Sequence, residues 1–229
     1  MLGRAAVAIW CDVAPEIKEE FDDWHAHEHM PERLAIPGFL RGSRWVAADG
    51  SNGYFMLYEA VGLDTIASGP YLERLNNPTP WSRKMMQHHL RMTRSLCRVQ
   101  SSHGAGLARA MLTVRCSPLP HAEERFGVWL STELLPALPQ RKGLVAAHLL
   151  RTATGFQGEQ TAEQKIRGGD AVADWIVLVN GYSADVLGAL AAGELGESAL
   201  AARGAAPGWV ASVYELAFSM TAADLGRGS

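Results

Sequence analysis

Residues 4–39, RAAVAIWCDVAPEIKEEFDDWHAHEHMPERLAIPGF, align without a gap with residues 109–144, RAMLTVRCSPLPHAEERFGVWLSTELLPALPQRKGL. The shift is 105 residues throughout, and ten aligned positions are identical: Arg4/Arg109, Ala5/Ala110, Cys11/Cys116, Pro15/Pro120, Glu19/Glu124, Phe21/Phe126, Trp24/Trp129, Glu28/Glu133, Pro31/Pro136 and Gly38/Gly143. Self-similarity at one fixed spacing indicates a duplicated chain. The sequence therefore predicts two units: 1–104, which carries a histidine cluster, and 105–229, a degenerate second copy.

Each half has the order strand, helix, strand, strand, helix, strand. In the first half the apolar run at 5–13 predicts a strand, and Pro15 opens a helix that Pro37 and Gly38 end. Such a unit forms a four-stranded antiparallel sheet with both helices on one face. Because several strands are apolar on both faces, the two bare sheet faces should pack together. We predict an α+β fold in which two tandem ferredoxin-like repeats form one intramolecular eight-stranded barrel.

Composition excludes several classes of function. The net charge is −3 and no basic stripe with interleaved aromatics is present, so nucleic acid is not an expected partner. The apolar N-terminal run is too short to span a membrane, and no membrane partner is expected. Cys11, Cys97 and Cys116 are odd in number and lack CxxC spacing, which favours free thiols and a cytoplasmic location. The sequence also lacks a phosphate-binding loop, a nucleophile elbow and a dinucleotide fingerprint, which argues against nucleotide chemistry.

The histidines form the densest chemical cluster of the chain. His25, His27 and His29 lie in one predicted helix, where His25 and His29 share a face and His27 points away. Pro31 removes the helical hydrogen bond to the carbonyl of His27 and should kink the helix beside His29. Imidazole titrates near neutrality, so His29 is a candidate general acid or base, with His25 as a second catalytic candidate. Glu28, a further catalytic candidate, or Glu32 could set the tautomer of His29.

The motif around this cluster resembles a known group of proteins. Its residues are Asp23 and Trp24, then His29-Met30-Pro31, then Pro37-Gly38-Phe39, followed by Arg44 and Trp45. They resemble the EthD-like group of the dimeric α+β barrel superfamily. The resemblance implies a small-molecule pocket between sheet and helices. Relatives include cofactor-free monooxygenases, muconolactone-type isomerases, polyketide cyclases and haem enzymes, so the resemblance implies a fold more firmly than a reaction.

The aligned second half lacks this chemistry. Leu130, Thr132 and Leu134 stand where the first half has histidines, and Leu138 stands where it has Arg33. We therefore expect one site in the chain, and the residues expected to bind substrate in it are Trp24, Arg33, Trp45 and Tyr58. Trp45 and Tyr58 lie on strands that should adjoin the helix of His29. Arg44 alternates with Trp45, so it faces the other side of its sheet and needs a carboxylate if it is buried.

The function expected from these residues is proton transfer on a small apolar or aromatic metabolite, by isomerisation, cyclisation or cofactor-free oxygenation. No cofactor is expected. One alternative is a non-catalytic protein that binds a metabolite or serves as an oligomerisation module, and a homodimer of the pseudo-dimeric chain is a further expectation. A second alternative is a metal site built on His25 and His29, although no third ligand can be named. The polar insertion at 155–169 predicts a mobile loop.

Overall fold

The computed structural model describes residues 1–154, 160–167 and 172–226. The strands are β1 (Ala5–Val13), β2 (Phe39–Ala47), β3 (Gly53–Ala60), β4 (His89–Gly104), β5 (Ala110–Cys116), β6 (Leu144–Thr152), β7 (Trp175–Gly181) and β8 (Val210–Thr221). The helices are α1 (Lys18–Trp24), α2 (Met30–Leu34), α3 (Leu63–Ile66), α4 (Gly69–Asn76), α5 (Pro80–Met86), α6 (Glu123–Val128), α7 (Leu135–Ala137), α8 (Ala162–Arg167), α9 (Ala184–Ala192) and α10 (Glu197–Arg203).

The strands close into one antiparallel barrel. Their order around it is β1-β3-β2-β8-β5-β7-β6-β4, so each half of the chain contributes one four-stranded sheet. Two seams join the halves: β2 pairs with β8, with Arg41 opposite Thr221, and β4 pairs with β6, with Cys97 opposite Thr152. Closure leaves no free sheet edge, which removes the tendency of edge strands to pair with other chains. The predicted α+β barrel built within one chain is confirmed.

The barrel separates three apolar cores. Inward side chains from both halves fill its interior, including Trp10, Trp45, Phe55 and Tyr214. One further core lies between the first sheet and its helices, and another lies between the second sheet and its helices. Both faces of strands such as β1 are therefore buried, as their continuous apolar character predicted.

The insertion between β6 and β7 differs from the sequence expectation. The sequence predicts a mobile loop over 155–169. For 162–167 this prediction is wrong, because Ala162–Arg167 forms helix α8. Side-chain oxygens hold its first turn, since Gln164 N donates to Thr161 Oγ1 (3.3 Å) and Ala162 N to Asn76 Oδ1 (3.1 Å). Residues 155–159 and 168–169 of this insertion lie outside the described residues. No helix within the described ranges has the length and apolarity that crossing a membrane requires.

Candidate active site

A wide helical turn positions the histidines of the first half. Between α1 and α2, residues His25–His29 form a π-helical segment in which the Met30 amide donates to the His25 carbonyl, five residues back. Pro31 has no amide hydrogen, so the regular helical pattern of hydrogen bonds to the carbonyl four residues back cannot continue at this position. The second half has a π segment at the aligned place, Trp129–Leu134, ahead of Pro136. The turn is therefore common to both halves, whereas the histidines belong to one.

The turn brings two of the three histidines inward. His25 and His29 are buried, and their ring centroids lie 5.7 Å apart. The side chain of His27 is 73% exposed, and its Nδ1 donates to the carbonyl oxygen of Asp23 (3.0 Å). The predicted shared face of His25 and His29 is what the structure shows. This one turn of helix therefore carries two buried imidazoles on one face and an exposed imidazole on another.

Beneath the buried pair lies a cavity of about 30 Å³ between the first sheet and its helices. This volume holds about two water molecules. Apolar side chains such as Trp24, Phe39 and Met56 form part of its wall. The polar side chains that line it are His25, His29, Arg33, Tyr58, Tyr71, His89, Arg94 and Glu163. The cavity thus combines an apolar wall with neutral and charged hydrogen-bonding groups.

His25 and Tyr58 form a hydrogen-bonded pair in this wall. The Tyr58 hydroxyl lies 2.8 Å from His25 Nε2, and both residues are buried. Burial, together with the positive charges of Arg44 and Arg33 and with nearby His89, lowers the pKa of His25 well below its ordinary value. Burial also raises the pKa of Tyr58. At neutral pH the bond therefore joins a neutral imidazole to a neutral phenol.

His29 packs against the indole of Trp24 and lies near both rings of this pair. The His29 ring centroid is 4.5 Å from that of Trp24 and 6.4 Å from that of Tyr58. Trp24 is itself fixed, because its Nε1 donates to Ser82 Oγ (3.2 Å) and to Glu28 Oε1 (3.2 Å). The wall that carries His29 is thus held in place by α5 as well as by its own helix.

Arg33 and Glu163 form a buried ion pair at the other side of the cavity. Arg33 Nη2 donates to Glu163 Oε1, and both side chains are about 4% exposed. Burial alone would lower the pKa of Arg33, but the Glu163 carboxylate together with the Tyr71 and Tyr58 hydroxyls outweighs burial, and the pKa is raised. The guanidinium also lies 5.9 Å from the centre of the Tyr71 ring. Arg33 is therefore a fixed positive charge on the cavity wall.

Two residues expected at the site lie elsewhere. The Glu28 carboxylate accepts hydrogen bonds from Trp24 Nε1, from Thr79 Oγ1 (2.6 Å) and from Ser82 Oγ (3.1 Å), and it does not line the cavity. It ties α1 to α5 and is not placed to set the tautomer of His29. Trp45 lies inside the barrel, stacked on Phe55 at 5.3 Å. It does not share the cavity of Tyr58, because its partner on β3 is Phe55, which lies three residues from Tyr58 and therefore faces the opposite side of the sheet.

Arg44 occupies the helix-facing side of β2, as its alternation with Trp45 predicted. Its Nη1 donates to the carbonyl oxygen of Asp22 (2.9 Å) and lies 3.4 Å from Asp22 Oδ1. The carboxylate that a buried guanidinium requires is thus supplied by α1. Its charge adds to that of Arg33 in holding His25 in the neutral form.

Four of the polar residues that line the cavity were not expected from the sequence: Tyr71, His89, Arg94 and Glu163. His89 directly follows His88 in the sequence. No local sequence pattern predicts that His89, the first residue of β4, lies beside Trp24, with 6.0 Å between the ring centroids. Glu163 comes from the second half of the chain and lies 130 residues from Arg33 in sequence. Its only sequence signal is its place in a polar insertion, which does not predict a contact with the first half.

A metal-ion site receives no support from the described residues. No group of three or more His, Cys, Asp or Glu side chains among them is arranged to hold a metal ion. The cavity beneath His25 and His29 has a volume of about 30 Å³. The residues that line it suit a hydrogen-bonded organic ligand better than a coordinated ion.

Tyr58→Phe should destabilise the protein by about 1–3 kcal/mol, because it leaves a buried imidazole without its hydrogen bond. His25 Nδ1 has no hydrogen-bond partner among the described residues, so the mutation would leave neither ring nitrogen bonded. The matched control is Tyr54→Phe. The Tyr54 hydroxyl donates to Asp22 Oδ1 (3.0 Å), and the Asp22 side chain is 34% exposed, so water can replace that bond. Urea unfolding at pH 7.5 measures both, and equal losses would contradict the prediction.

This architecture, an eight-stranded antiparallel barrel with helices packed outside two four-stranded sheets, is the dimeric α+β barrel fold. Here one chain supplies both sheets. The predicted fold is confirmed by solved structures that share this architecture over almost the whole chain. No family model and no curated protein matches the sequence.

Three of these structures have low sequence identity to this chain. An anthrone oxidase-like protein has 13% identity and a TM-score of 0.65, over 96% of this chain and 93% of that one. A candidate monooxygenase from Fusobacterium nucleatum has 6% identity and a TM-score of 0.62, over 96% of each chain. The chlorite dismutase of Candidatus Nitrospira defluvii has 10% identity and a TM-score of 0.55, over 98% of this chain and 94% of that one. At such identities the likeness establishes the fold.

Proposed function

We propose that the cavity is the active site of an enzyme that transfers a proton on a small, largely apolar or aromatic metabolite. The observation that carries the proposal is the arrangement of two buried imidazoles, a neutral phenol and a fixed guanidinium around one enclosed space. Enclosure strengthens electrostatic interactions and keeps water from competing for the proton. The oxygenase and oxidase names of proteins with the same fold are consistent with this proposal.

His29 is the proposed base. His25 is held neutral by burial and by neighbouring charges and is bonded to Tyr58, so it suits hydrogen bonding to the substrate more than proton abstraction. His29 would remove a proton from carbon beside a carbonyl group, and the negative charge would pass to the carbonyl oxygen. The Tyr58 hydroxyl or His25 would orient and stabilise that oxygen. Isomerisation, cyclisation and reaction with oxygen all begin with this step.

His29→Gln should lower the rate of proton transfer by about 10²–10⁴-fold while leaving binding intact, because it removes the base and keeps a polar side chain. The measurement is deuterium uptake at carbon by NMR, using anthrone and smaller carbon acids as probes. His27→Gln is the matched control, because it changes an exposed histidine on the same helical turn. Deuterium uptake that is equally fast in wild type and His29→Gln would remove His29 from the mechanism. Saturable binding without any uptake would support the metabolite-binding alternative.

A further inference from the structure

The ion pair between Arg33 and Glu163 joins distant parts of the chain inside the cavity wall. Arg33 is on α2 of the first half, and Glu163 is on α8, in the insertion between β6 and β7. Both side chains are about 4% exposed. Of the residues that line the cavity, Glu163 alone among those described comes from the second half; the others lie between Ile9 and Arg94. The anionic group in this wall is thus supplied from outside the sheet and helices that build the rest of it.

Glu163 accepts a hydrogen bond from only one of the two terminal nitrogens of Arg33. A guanidinium presents two parallel N–H donors that fit the two oxygens of a carboxylate. Arg33 Nη2 is bonded to Glu163, but the buried Nη1 has no hydrogen-bond partner among the described residues. Its nearest other carboxylate oxygen is Glu32 Oε2, at 4.0 Å. Arg33 therefore keeps one buried, charged donor nitrogen that no described residue uses.

The volume of the cavity shows that a ligand must displace a side chain of the cavity wall. About 30 Å³ holds two water molecules but no metabolite. The other lining residues belong to strands β1–β4 and to the helices packed on them. Helix α8 is six residues long, too short to be stable without its contacts to α4, α5 and Arg33. Glu163 is therefore the wall residue that can leave without opening the barrel.

We propose that Glu163 occupies the position of the substrate's own carboxylate, so that the cavity takes a small organic acid that displaces Glu163 from Arg33. A neutral ligand that displaced Glu163 would leave a buried guanidinium without a counter-charge, which is costly. A carboxylate replaces the counter-charge and can engage Nη1 as well as Nη2. This inference rests on the proposed function in one respect, since it takes the same cavity as the ligand site. It adds the chemical class of the ligand and the group it replaces.

Chemical rescue tests the inference without any substrate. Glu163→Ala removes the carboxylate and leaves a space that acetate or propionate can fill. We expect the variant to have a lower Tm than wild type, and 200 mM acetate or propionate to raise it by about 3 °C in a saturable way. Acetamide and propionamide, at the same concentration and at matched ionic strength, should have no such effect. The double variant Arg33→Met/Glu163→Ala should lose the response to the acids.

A second variant covers the case in which Glu163→Ala fails to fold. Glu163→Gln keeps the shape of the side chain and weakens the bond to Arg33. It should bind 2-naphthoate about tenfold more tightly than wild type, because the acid no longer competes with a charged Glu163. The isosteric 2-naphthamide should show no such gain, and isothermal titration calorimetry measures both ligands.

The outcomes separate this inference from the proposed function. Equal effects of acids and amides, or rescue that survives the loss of Arg33, would overturn the inference whatever the enzyme does in the deuterium assay. Rescue that is specific to acids and depends on Arg33 supports it. If such rescue is found while His29→Gln leaves deuterium uptake unchanged, the carboxylate site stands and the catalytic role of His29 falls.

Discussion

The free energy of unfolding should fall steeply as the pH is lowered from 6.5 to 4, because two buried histidines must stay uncharged in the folded protein. Burial, then the N-terminal charge and Arg41, lowers the pKa of His148 to about 3. The pKa of His25 is lowered for the reasons given above. Between pH 6.5 and 3 the unfolded chain binds a proton at His148 that the folded chain does not. The stability due to His148 is complete above pH 6.5 and is lost towards pH 3.

The size of this effect follows from the pKa difference. One pKa unit corresponds to about 1.4 kcal/mol, so His148 alone should cost roughly 3 kcal/mol between pH 6.5 and 4. His25 acts in the same direction. Urea unfolding of His148→Asn from pH 4 to 8 should show a shallower dependence than wild type, even if the variant is less stable at pH 7. His27→Gln, which changes an exposed ring, is the control and should keep the wild-type slope. A wild-type slope in His148→Asn would contradict the assignment.

Gly38→Ala should destabilise the protein by about 2–5 kcal/mol, through backbone strain and a clash. Gly38 lies in the turn between α2 and β2 at φ +97°, a left-handed conformation that costs about 1–2 kcal/mol for other residues. A Cβ at this position would also lie 2.4 Å from Thr65 Oγ1, and overpacking of this kind costs about 1–3 kcal/mol. Thr65 is β-branched and belongs to the short helix α3, so it cannot easily move aside.

Two other glycines separate strain from clash. Gly143 is the aligned residue of the second half and has nearly the same φ, +94°, but a Cβ there would approach Val186 only to 3.1 Å. Gly50 has φ +77° and no atom within 4 Å of the added carbon. Thermal or urea unfolding should therefore rank the losses as Gly38→Ala, then Gly143→Ala, then Gly50→Ala. Equal losses in all three would show that strain alone accounts for the cost and that Thr65 yields.

The local pattern of the sequence was sufficient for the scaffold of the site. The repeat at a spacing of 105 residues, the apolar strands and the proline and glycine signals predicted two β-α-β-β-α-β halves closing one barrel. Helical spacing predicted that His25 and His29 share a face and that His27 does not. The faces of the strands and helices depend on neighbours within one turn or one strand, and such short-range relations are visible in a sequence.

Only the tertiary structure decided the rest of the site. In β2, Trp45 faces the barrel interior and Arg44 faces the helices. Strand alternation predicts that the two side chains lie on opposite faces of the sheet, but it does not predict which face lies inside the barrel. The Glu28 carboxylate accepts hydrogen bonds from Thr79, which precedes α5, and from Ser82, which lies on α5. These bonds hold it away from the cavity. Glu163 reached Arg33 because barrel closure brings an insertion of the second half over the helices of the first. Contacts between residues so far apart in sequence depend on the closed fold, and no local periodicity records them.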